Sequence, residues 1–394
     1  QAGTGKSYLL QALNDELQRN DIKPEALAPT AAASRGSLRE AGLTDANTVA
    51  KFLGPSETGQ QLRNDAKDGV IVLDEAGLAS TPQMLRLLKF ADKLNARVVL
   101  VGDTRQMTAV ERGDALRLLE EKAGLVPAEL KHIRRQKDPV YRQVVEQLAN
   151  GEAEKGLEDA DKAGFVHEVE TDDGPQFVAD WVVEQRKQGS VIVMCPVHAE
   201  GRKASEAIRR TLQKEGLVQP DQVTMPVLRQ ANLVEADLSD APHTLQAGDQ
   251  AIMRRDDRKR GLAAGETLIA VADERGQIHL HRQMEEDGVE KMTRIEEGLH
   301  PQAFAVYRQA TIPVAVGDTL RAREAIEDAA MQRGDFATVK RIDEARRTIE
   351  FEDGRSVSMD SQKLDHGYYT TPNSGQGLSA RAVCFYAPSH ALPA

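Results

Sequence analysis

The chain opens with Gln1-Ala2-Gly3-Thr4-Gly5-Lys6-Ser7, and residues 8–20 after it carry apolar side chains at helical spacing. A glycine-rich turn that ends in Lys-Ser and leads into a helix has the spacing of a phosphate-binding P-loop, whose first glycine would precede Gln1. In such a loop, backbone N–H groups surround the β-phosphate, the lysine contacts the β- and γ-phosphates, and the hydroxyl binds magnesium. The candidate nucleotide-binding residues are therefore Gly3, Thr4, Gly5, Lys6 and Ser7. The alternative is a chance glycine-rich turn.

The segments after the P-loop predict an α/β fold. Residues 70–73 (VIVL) and 98–101 (VVLV) are short, β-branched apolar runs of the kind found in buried parallel strands. Between them, residues 82–95 have helical spacing. We therefore expect the first 130 residues or so to form a doubly wound nucleotide-binding lobe, with its ligand at the carboxyl ends of the strands.

Two carboxylates, Asp74 and Glu75, directly follow the first of these apolar runs. At the carboxyl end of a strand, the first can bind magnesium and the second can activate a water molecule. An acidic turn after a strand is common by itself, so this prediction depends on the P-loop. Together the two motifs favour hydrolysis of a nucleoside triphosphate over phosphoryl transfer to a metabolite.

Two polar segments further along add candidate residues. Gln106, in Gly102-Asp103-Thr104-Arg105-Gln106, follows the second apolar run and could sense the γ-phosphate. Arg135, in Ile133-Arg134-Arg135-Gln136, could stabilise the charge of the transition state. Taken alone, the first segment is also typical of a polar loop and the second of a solvated surface.

Composition limits the class of protein. A length of 394 residues predicts two to four domains, and the net charge of -11 implies that any nucleic acid binds in a locally basic groove. The two cysteines, Cys195 and Cys384, are too few for a metal-binding quartet and indicate no disulfide framework, and the histidines show no metal-ligand spacing. No apolar run is long enough to span a membrane, so we expect a cytoplasmic protein.

The rest of the chain predicts a second lobe that a β-rich region interrupts. Residues 190–194 and 200–214 predict a buried strand and a helix, and residues 382–387 (AVCFYA) predict a strand that returns to the same lobe. Residues 240–360 are polar, with short alternating runs and Gly-acidic turns. Within them, Gly248-Asp249 is echoed by Gly317-Asp318, and Gly265-Glu266 by Gly334-Asp335. We interpret the echoes as a duplicated small barrel-like unit, with coincidence between two ordinary hairpins as the alternative.

The segments GTGKS, LDEAG, GDTRQ and IRRQ, in this order, resemble motifs I to IV of superfamily 1 helicases. The resemblance is to the RecD-like branch, which includes the helicase halves of conjugative relaxases of the TraI and TrwC type. It implies ATP and Mg²⁺ as cofactors and single-stranded DNA as partner, with movement in the 5′ to 3′ direction during plasmid DNA transfer. It also makes other conjugation proteins, of the relaxosome or the secretion machinery, possible partners.

The resemblance also supplies candidate nucleic-acid contacts. Ala28-Pro29-Thr30 and Thr48 resemble segments that contact the strand in this family. Near the end of the chain, Thr370-Thr371-Pro372-Asn373-Ser374-Gly375-Gln376-Gly377 resembles motif V. It implies a strand contact by Thr371 and a nucleotide-linked role for Gln376 and Gly377. Gly375 stands where the family has a serine, so this segment lacks the hydroxyl of that serine.

The family architecture is two RecA-like lobes with a small SH3-like β-barrel inserted in the second. On this chain we place the first lobe at residues 1–138 and the second at 139–240, with the β-rich insertion at 241–360 and the return segment at 361–394. The adenine-recognition motif and motif VI of the family are absent. We expect both to lie beyond the two ends of this sequence.

Two other functions remain open at this point. A helicase fold that binds single strands without hydrolysing ATP is the first, although the presence of Lys6, Asp74, Glu75, Gln106 and Arg135 argues against it. The second is a P-loop ATPase that acts on a protein or a metabolite. That function leaves the Ala-Pro-Thr segment and the motif V segment without explanation.

Overall fold

The computed structural model describes residues 5–29, 34, 37–104, 113–130, 138–231, 244–286, 289–295, 299–375 and 378–387. These residues form two compact units. The first unit comprises the described parts of Gln1–Thr211 and Tyr368–Ala394, together with the short segment Gln332–Asp335. The second comprises those of Leu212–Met331 and Phe336–Gly367.

A parallel sheet of four strands organises the first part of the first unit. Its strands are β1 (Glu25–Ala28), β2 (Asn47–Thr48), β3 (Val70–Leu73) and β4 (Arg97–Leu100), in the order β2-β1-β3-β4 with every pair parallel. Within β3, Ile71 and Leu73 belong to one apolar core while Val70 and Val72 belong to another. Strand β3 is therefore buried on both faces, as its continuous apolar run predicts.

Helices supply the other side of both cores. They are α1 (Lys6–Arg19), α2 (Ser37–Glu40), α3 (Val49–Leu53), α4 (Glu57–Asp65), α5 (Thr81–Lys93) and α6 (Ala115–Ala123). Leu10 of α1 packs in the core of Val72, and Leu87 of α5 packs in that of Ile71. A capping box between Ser80 and Gln83 fixes the start of α5. The predicted helices at 8–20 and 82–95 are thus confirmed, with starts one or two residues earlier.

The remaining part of the first unit also contains parallel strands. Here β5 (Val191–Met194) pairs in parallel with β17 (Ala382–Phe385), so the predicted return of the chain to this strand is confirmed. The helices are α7 (Pro139–Ala149), α8 (Ala153–Lys162), α9 (Gly174–Arg186), α10 (His198–Lys214) and the short α11 (Pro372–Gly375). None of the helices in the described ranges is both long enough and apolar enough to cross a lipid bilayer.

The second unit consists of two antiparallel sheets. The strands are β6 (Val223–Gln230), β7 (Gln250–Met253), β8 (Thr267–Ala272), β9 (Ile278–Glu286), β10 (Val289–Arg294), β11 (Phe304–Val314), β12 (Thr319–Ala322), β13 (Phe336–Asp343), β14 (Thr348–Phe351), β15 (Ser356–Ser358) and β16 (Leu364–His366). One sheet has the order β10-β9-β8-β7-β11-β6 and the other β15-β14-β13-β12-β16. The long β11 contributes Phe304 to the core of the first sheet and Ile312 to that of the second.

Residues 69 positions apart, such as Gly248 and Gly317, make the same backbone bonds in the two sheets. In the first sheet, Gly248 N–H donates to Ala270 O, Ala270 N–H donates to Asp249 O, and Asp257 and Leu262 form a two-way backbone bridge. In the second sheet, Gly317 N–H donates to Val339 O, Val339 N–H donates to Asp318 O, and Ile326 and Met331 form the equivalent bridge. Both glycines have a left-handed backbone, with φ of 89° and 90°. We call residues 248–272 and 317–341 the first and second repeat.

The β-rich unit has wider bounds than the range 241–360 that the sequence predicts. Strand β6 lies before that range and pairs with β11, and β16 lies after it and pairs with β12. Short alternating strands such as β16 give little sequence signal of their own, and only their pairing assigns them to a sheet.

Candidate nucleotide site and nucleic-acid contacts

Candidate residues from four segments lie along one edge of the four-stranded sheet. Pro29 follows β1, Thr48 ends β2, Asp74 and Glu75 follow β3, and Asp103 lies three residues beyond β4. Because the four strands are parallel, their carboxyl ends meet at the same edge. The fold thus brings together residues that are far apart in the sequence.

An ion pair connects the P-loop to this edge. Lys6 Nζ lies 2.9 Å from Glu75 Oε1, and the two side chains are each only 16% exposed. Lys6 is the first residue of α1, whereas Glu75 lies after β3. The predicted phosphate-binding lysine and the predicted base therefore belong to one site.

The start of α1 has the backbone that a P-loop requires. Gly5 caps the helix with φ at 95°, a left-handed conformation that favours glycine, and its carbonyl accepts a hydrogen bond from Leu9 N–H. Ser7 lies in the first turn and is partly buried. The N–H groups of a first helical turn have no partner within the helix, which makes this position suitable for a phosphate.

Asp74 and Glu75 are held by their backbone as well as by their side chains. Asp74 is fully buried, its N–H donates to Leu27 O of β1 at 2.9 Å, and its Oδ1 accepts the N–H of Glu75 at 2.9 Å. Glu75 has φ at 49°, the left-handed region that non-glycine residues rarely adopt. Such a strained residue is typical of functional sites, where the surrounding bonds maintain it.

The loops at this edge pack closely against each other at two glycines, Gly77 and Gly102, which the sequence analysis does not name as site residues. A Cβ on Gly102 would lie 2.9 Å from Leu116 Cδ2 and 3.1 Å from the backbone N of Ala76, and one on Gly77 would lie 3.0 Å from Asp103 O. Neither position has room for a side chain. The signal was present in the sequence, since each glycine lies within three residues of Asp103 or Glu75.

The donor set fits a magnesium ion bound with a nucleotide. The Ser7 hydroxyl and the Asp74 carboxylate are the hard oxygen ligands that Mg²⁺ prefers, and Mg²⁺ is commonly held by one or two protein groups plus phosphates. In the described ranges, no three His, Cys, Asp or Glu side chains form a metal-binding group. Ser7 and Asp74 would therefore need phosphate oxygens and water to complete the coordination.

The two predicted strand-contact threonines cap short helices. Thr48 Oγ1 accepts a hydrogen bond from Lys51 N–H at 3.2 Å at the start of α3, and Thr371 Oγ1 accepts one from Ser374 N–H at 3.4 Å at the start of α11. Both side chains are partly exposed. Capping accounts for a threonine at each position, so a contact with nucleic acid remains a prediction.

The structure explains the glycine in the motif V segment. Thr370 bonds on both sides to the β5 segment, through its N–H to Val193 O and its carbonyl to Cys195 N–H. A Cβ on Gly375 would lie 2.8 Å from Met194 Cε and 3.0 Å from Thr370 Cγ2. A serine at this position would therefore require Met194 to move.

Several predicted residues lie outside the described ranges. They are Gly3, Thr4, Thr30, Gln106, Arg135, Gln376 and Gly377. Their predicted roles stay predictions.

Neither cysteine belongs to this edge of the sheet. Cys195 is buried, Cys384 on β17 is partly buried, and both are free. Burial raises the pKa of the Cys384 thiol to about 11, with a further increase from Cys195. Both groups therefore stay protonated at neutral pH, in accord with two structural thiols.

Comparison with known proteins shows what this chain is similar to. Residues 1–171 match the family described as "AAA domain". The multifunctional conjugation protein TraI of Escherichia coli (strain K12) is 23% identical over 437 residues, which cover 96% of this chain and 24% of TraI. The ATP-dependent RecD2 DNA helicase of Deinococcus radiodurans is 32% identical over 197 residues, covering 50% of this chain and 27% of RecD2. The chain spans about a quarter of the length of these relatives.

A solved structure of the Pif1 helicase from Bacteroides, in complex with ADP-AlF3 and ssDNA, also matches. Its sequence is 13% identical and the TM-score is 0.42, over 97% of this chain and 80% of the Pif1 chain.

Proposed function

We propose a function for this chain from the match of residues 1–171 to the family described as "AAA domain" and from its sequence similarity to the conjugation protein TraI and the RecD2 helicase. It is an ATP-dependent translocase and helicase that moves 5′ to 3′ along single-stranded DNA. It acts as the helicase part of a conjugative relaxase in plasmid DNA transfer. The relatives support an ATP-hydrolysing DNA helicase, and the TraI relationship supports the role in conjugation.

The observation that carries the proposal is the ion pair of 2.9 Å between Lys6 and Glu75. It joins the phosphate-binding segment to the residue best placed to activate water. A phosphate-binding fold without turnover has no need for a carboxylate at that distance from the lysine.

The site's own residues account for the chemistry. Bound phosphates attract Lys6 more strongly than one carboxylate does, so Lys6 leaves Glu75 when ATP binds. Glu75 is then free to accept a proton from the attacking water. Ser7 and Asp74 would hold magnesium, which would supply charge neutralisation on the phosphates. Gln106 and Arg135 are assigned to γ-phosphate sensing and to transition-state charge.

Movement requires a second lobe that shifts along the strand. We assign this lobe to residues 139–211 and 368–394, which belong to the first unit. Pro29, Thr30 and Thr48 of the first lobe and Thr371 of the second contact phosphates in this proposal without reading bases. Both lobes are RecA-like in this proposal, and the β-rich unit is the SH3-like insertion. Parallel strands at β1 to β4 and at β5 with β17 support it.

The first test is ATP hydrolysis by the full-length protein in the presence of single-stranded DNA. Lys6→Ala removes the phosphate contact and should lower the rate by a factor on the order of a hundred or more. Lys89→Ala, an exposed lysine on α5, is the control and should leave the rate unchanged. Equal hydrolysis by the Lys6→Ala and wild-type proteins would reject the site.

The second test addresses direction. Duplexes with a 5′ or a 3′ single-stranded tail are mixed with the full-length protein and ATP, and strand separation is followed. Separation of the 5′-tailed duplex supports the proposal. Tight strand binding without hydrolysis or separation would identify the non-hydrolysing binding module instead.

A further inference from the structure

A cluster of basic residues lies on the second unit, in the turn between β7 and β8. Its sequence is Arg254-Arg255-Asp256-Asp257-Arg258-Lys259-Arg260-Gly261-Leu262, with five cations and two acids. We call residues 254–262 the basic turn. Arg254, Arg255, Arg258 and Lys259 are exposed, and none of them forms an ion pair with a residue that the structure describes.

The two acids of the basic turn are used within it. Asp257 makes the two-way backbone bridge to Leu262, and its side chain pairs with Arg260 at 2.8 Å. Asp256 Oδ1 accepts the N–H of Ala264 at 2.9 Å. Both carboxylates therefore stabilise the turn, and the exposed charge at its tip is that of Arg258 and Lys259.

The second repeat shows that the fold does not require these cations. Its equivalent residues, 323–331, form the same two-way bridge, here between Ile326 and Met331. The tip residues Glu327 and Asp328 stand at the places of Arg258 and Lys259 and are also exposed. We call residues 323–331 the acidic turn. The same backbone bridge thus carries opposite charges in the two repeats. Folding therefore does not fix the charge at the tip, and that charge can be used to bind a ligand.

The surroundings favour a polyanion over a protein. Protein interfaces depend on buried apolar or aromatic anchors. Between residues 244 and 283, where the structure describes every side chain, no large hydrophobic side chain is exposed. The chain has a net charge of -11, so a polyanion is attracted only where cations are concentrated.

We propose that the basic turn binds the phosphate backbone of nucleic acid, with Arg258 and Lys259 as the main contacts. The inference rests on the proposed function, because a translocating enzyme needs strand contacts outside its nucleotide site. Arginine and lysine on an exposed, bridged turn can contact phosphates without reading bases. The acidic turn repels the same backbone, which restricts binding to the first repeat.

The test is the affinity of the full-length protein for labelled oligonucleotides, single-stranded and duplex, measured by fluorescence anisotropy without ATP. The variant is Arg258→Gln with Lys259→Gln, which leaves the Asp257–Arg260 pair intact. Each single-strand phosphate contact adds about 0.7 to the slope of log K against log salt. The loss of two contacts should therefore lower this slope by about 1.4 and weaken binding about 25-fold at ~0.1 M salt. A loss on either form of DNA supports the proposal and identifies the form bound.

Two control variants make the result specific. Lys162→Gln with Lys187→Gln removes the same charge from exposed positions of the first unit and should change affinity by less than about twofold. Glu327→Gln with Asp328→Asn, in the acidic turn, should not weaken binding. Unchanged affinity and salt slope in the Arg258→Gln, Lys259→Gln protein would overturn the proposal. That outcome leaves hydrolysis by the Lys6 site untouched, so the two proposals fail separately.

Discussion

At the carboxyl edge of the parallel sheet, Glu75 is strained and Gly77 and Gly102 have no room for a side chain. The two repeats of the second unit differ from this edge, because they keep the same backbone bonds while the side chains at their tips change charge. In the first region geometry limits what each residue can be. In the second region the backbone is fixed and the exposed side chains are free to vary.

The difference shows where function can be recognised. At the sheet edge, a few residues at fixed spacing have a chemical role, and motifs identify them. In the repeats, no motif marks a role, and only a comparison of equivalent positions does. Substitutions at the two regions should therefore change different measured quantities, namely reaction rate at the edge and stability or affinity in the repeats.

The largest expected effect is at the sheet edge. Glu75→Gln removes the proposed base, and we expect the rate of ATP hydrolysis to fall about a hundredfold. ATP binding should be no weaker, since Lys6 loses the carboxylate that holds it in the absence of nucleotide. Steady-state hydrolysis and nucleotide titration measure the two quantities, with Glu40→Gln as the exposed control. Weaker ATP binding together with normal hydrolysis would contradict this account.

In the repeats, the buried Asp249 tests stability. Burial opposes ionisation of this carboxyl, but two 2.8 Å bonds from Arg308 and one from Gln246 N–H lower its pKa below the usual range. The stabilisation is therefore present at neutral pH and is lost as pH falls. Asp249→Asn should lower the free energy of unfolding by about 2 kcal/mol at pH 7, less than a fully buried pair because Arg308 is 38% exposed.

Denaturant unfolding of wild type, Asp249→Asn, Arg308→Gln and the double variant gives the coupling energy of this pair. ATP hydrolysis should stay at the wild-type level in all four proteins. Additive effects of the two substitutions would show that the pair contributes no coupling.

A glycine substitution in each region compares them directly. Gly102→Ala places a methyl group 3.1 Å from the Ala76 N, so we expect the Asp74-Glu75 segment to shift and hydrolysis to fall about tenfold. Gly248→Ala meets no atom within 4 Å but has an unfavourable φ of 89°, so it should cost about 1 kcal/mol of stability and no activity. Hydrolysis rates and melting temperatures of the two proteins test this. Equal losses of activity would remove the distinction between the regions.

The smallest expected effect is at Glu25, at the amino end of β1 and away from the site. Burial, with repulsion from Asp65, raises the pKa of this carboxyl to about 7. Its folded pKa lies above its unfolded value, so its contribution to stability falls as pH rises from about 4.5 to 7. Glu25→Gln should therefore stabilise the protein by about 1 kcal/mol at pH 8, after allowance for solvent screening, and hardly at pH 5. Melting temperatures at the two pH values, with Glu40→Gln as control, test the sign.

The sequence predicts the parallel strands and their helices well, because continuous apolar runs and the P-loop are local signals. Strand β3 has the predicted bounds, and β4 begins one residue earlier than predicted. The motifs alone predict Lys6, Asp74 and Glu75 as site residues, and the roles of these residues stay predictions. The ion pair between Lys6 and Glu75, and the left-handed backbone of Glu75, depend on tertiary packing that no local pattern encodes.

The β-rich unit was less predictable. Its repeated glycine-acid turns were visible as an echo in the sequence, but pairing with β6 and β16 was not. Antiparallel pairing depends on partners that are distant in the chain, and short strands are weakly specified by their own residues. The charge difference between the basic and acidic turns became meaningful only when the bridges showed the two to be equivalent.

The most direct test of the central claim is the rate of ATP hydrolysis by the full-length wild-type protein as the concentration of a single-stranded oligonucleotide increases. The account predicts that the rate rises with the oligonucleotide and saturates, because strand contacts and the Lys6–Glu75 site belong to one motor. A rate that does not change at oligonucleotide concentrations where binding is complete would contradict it.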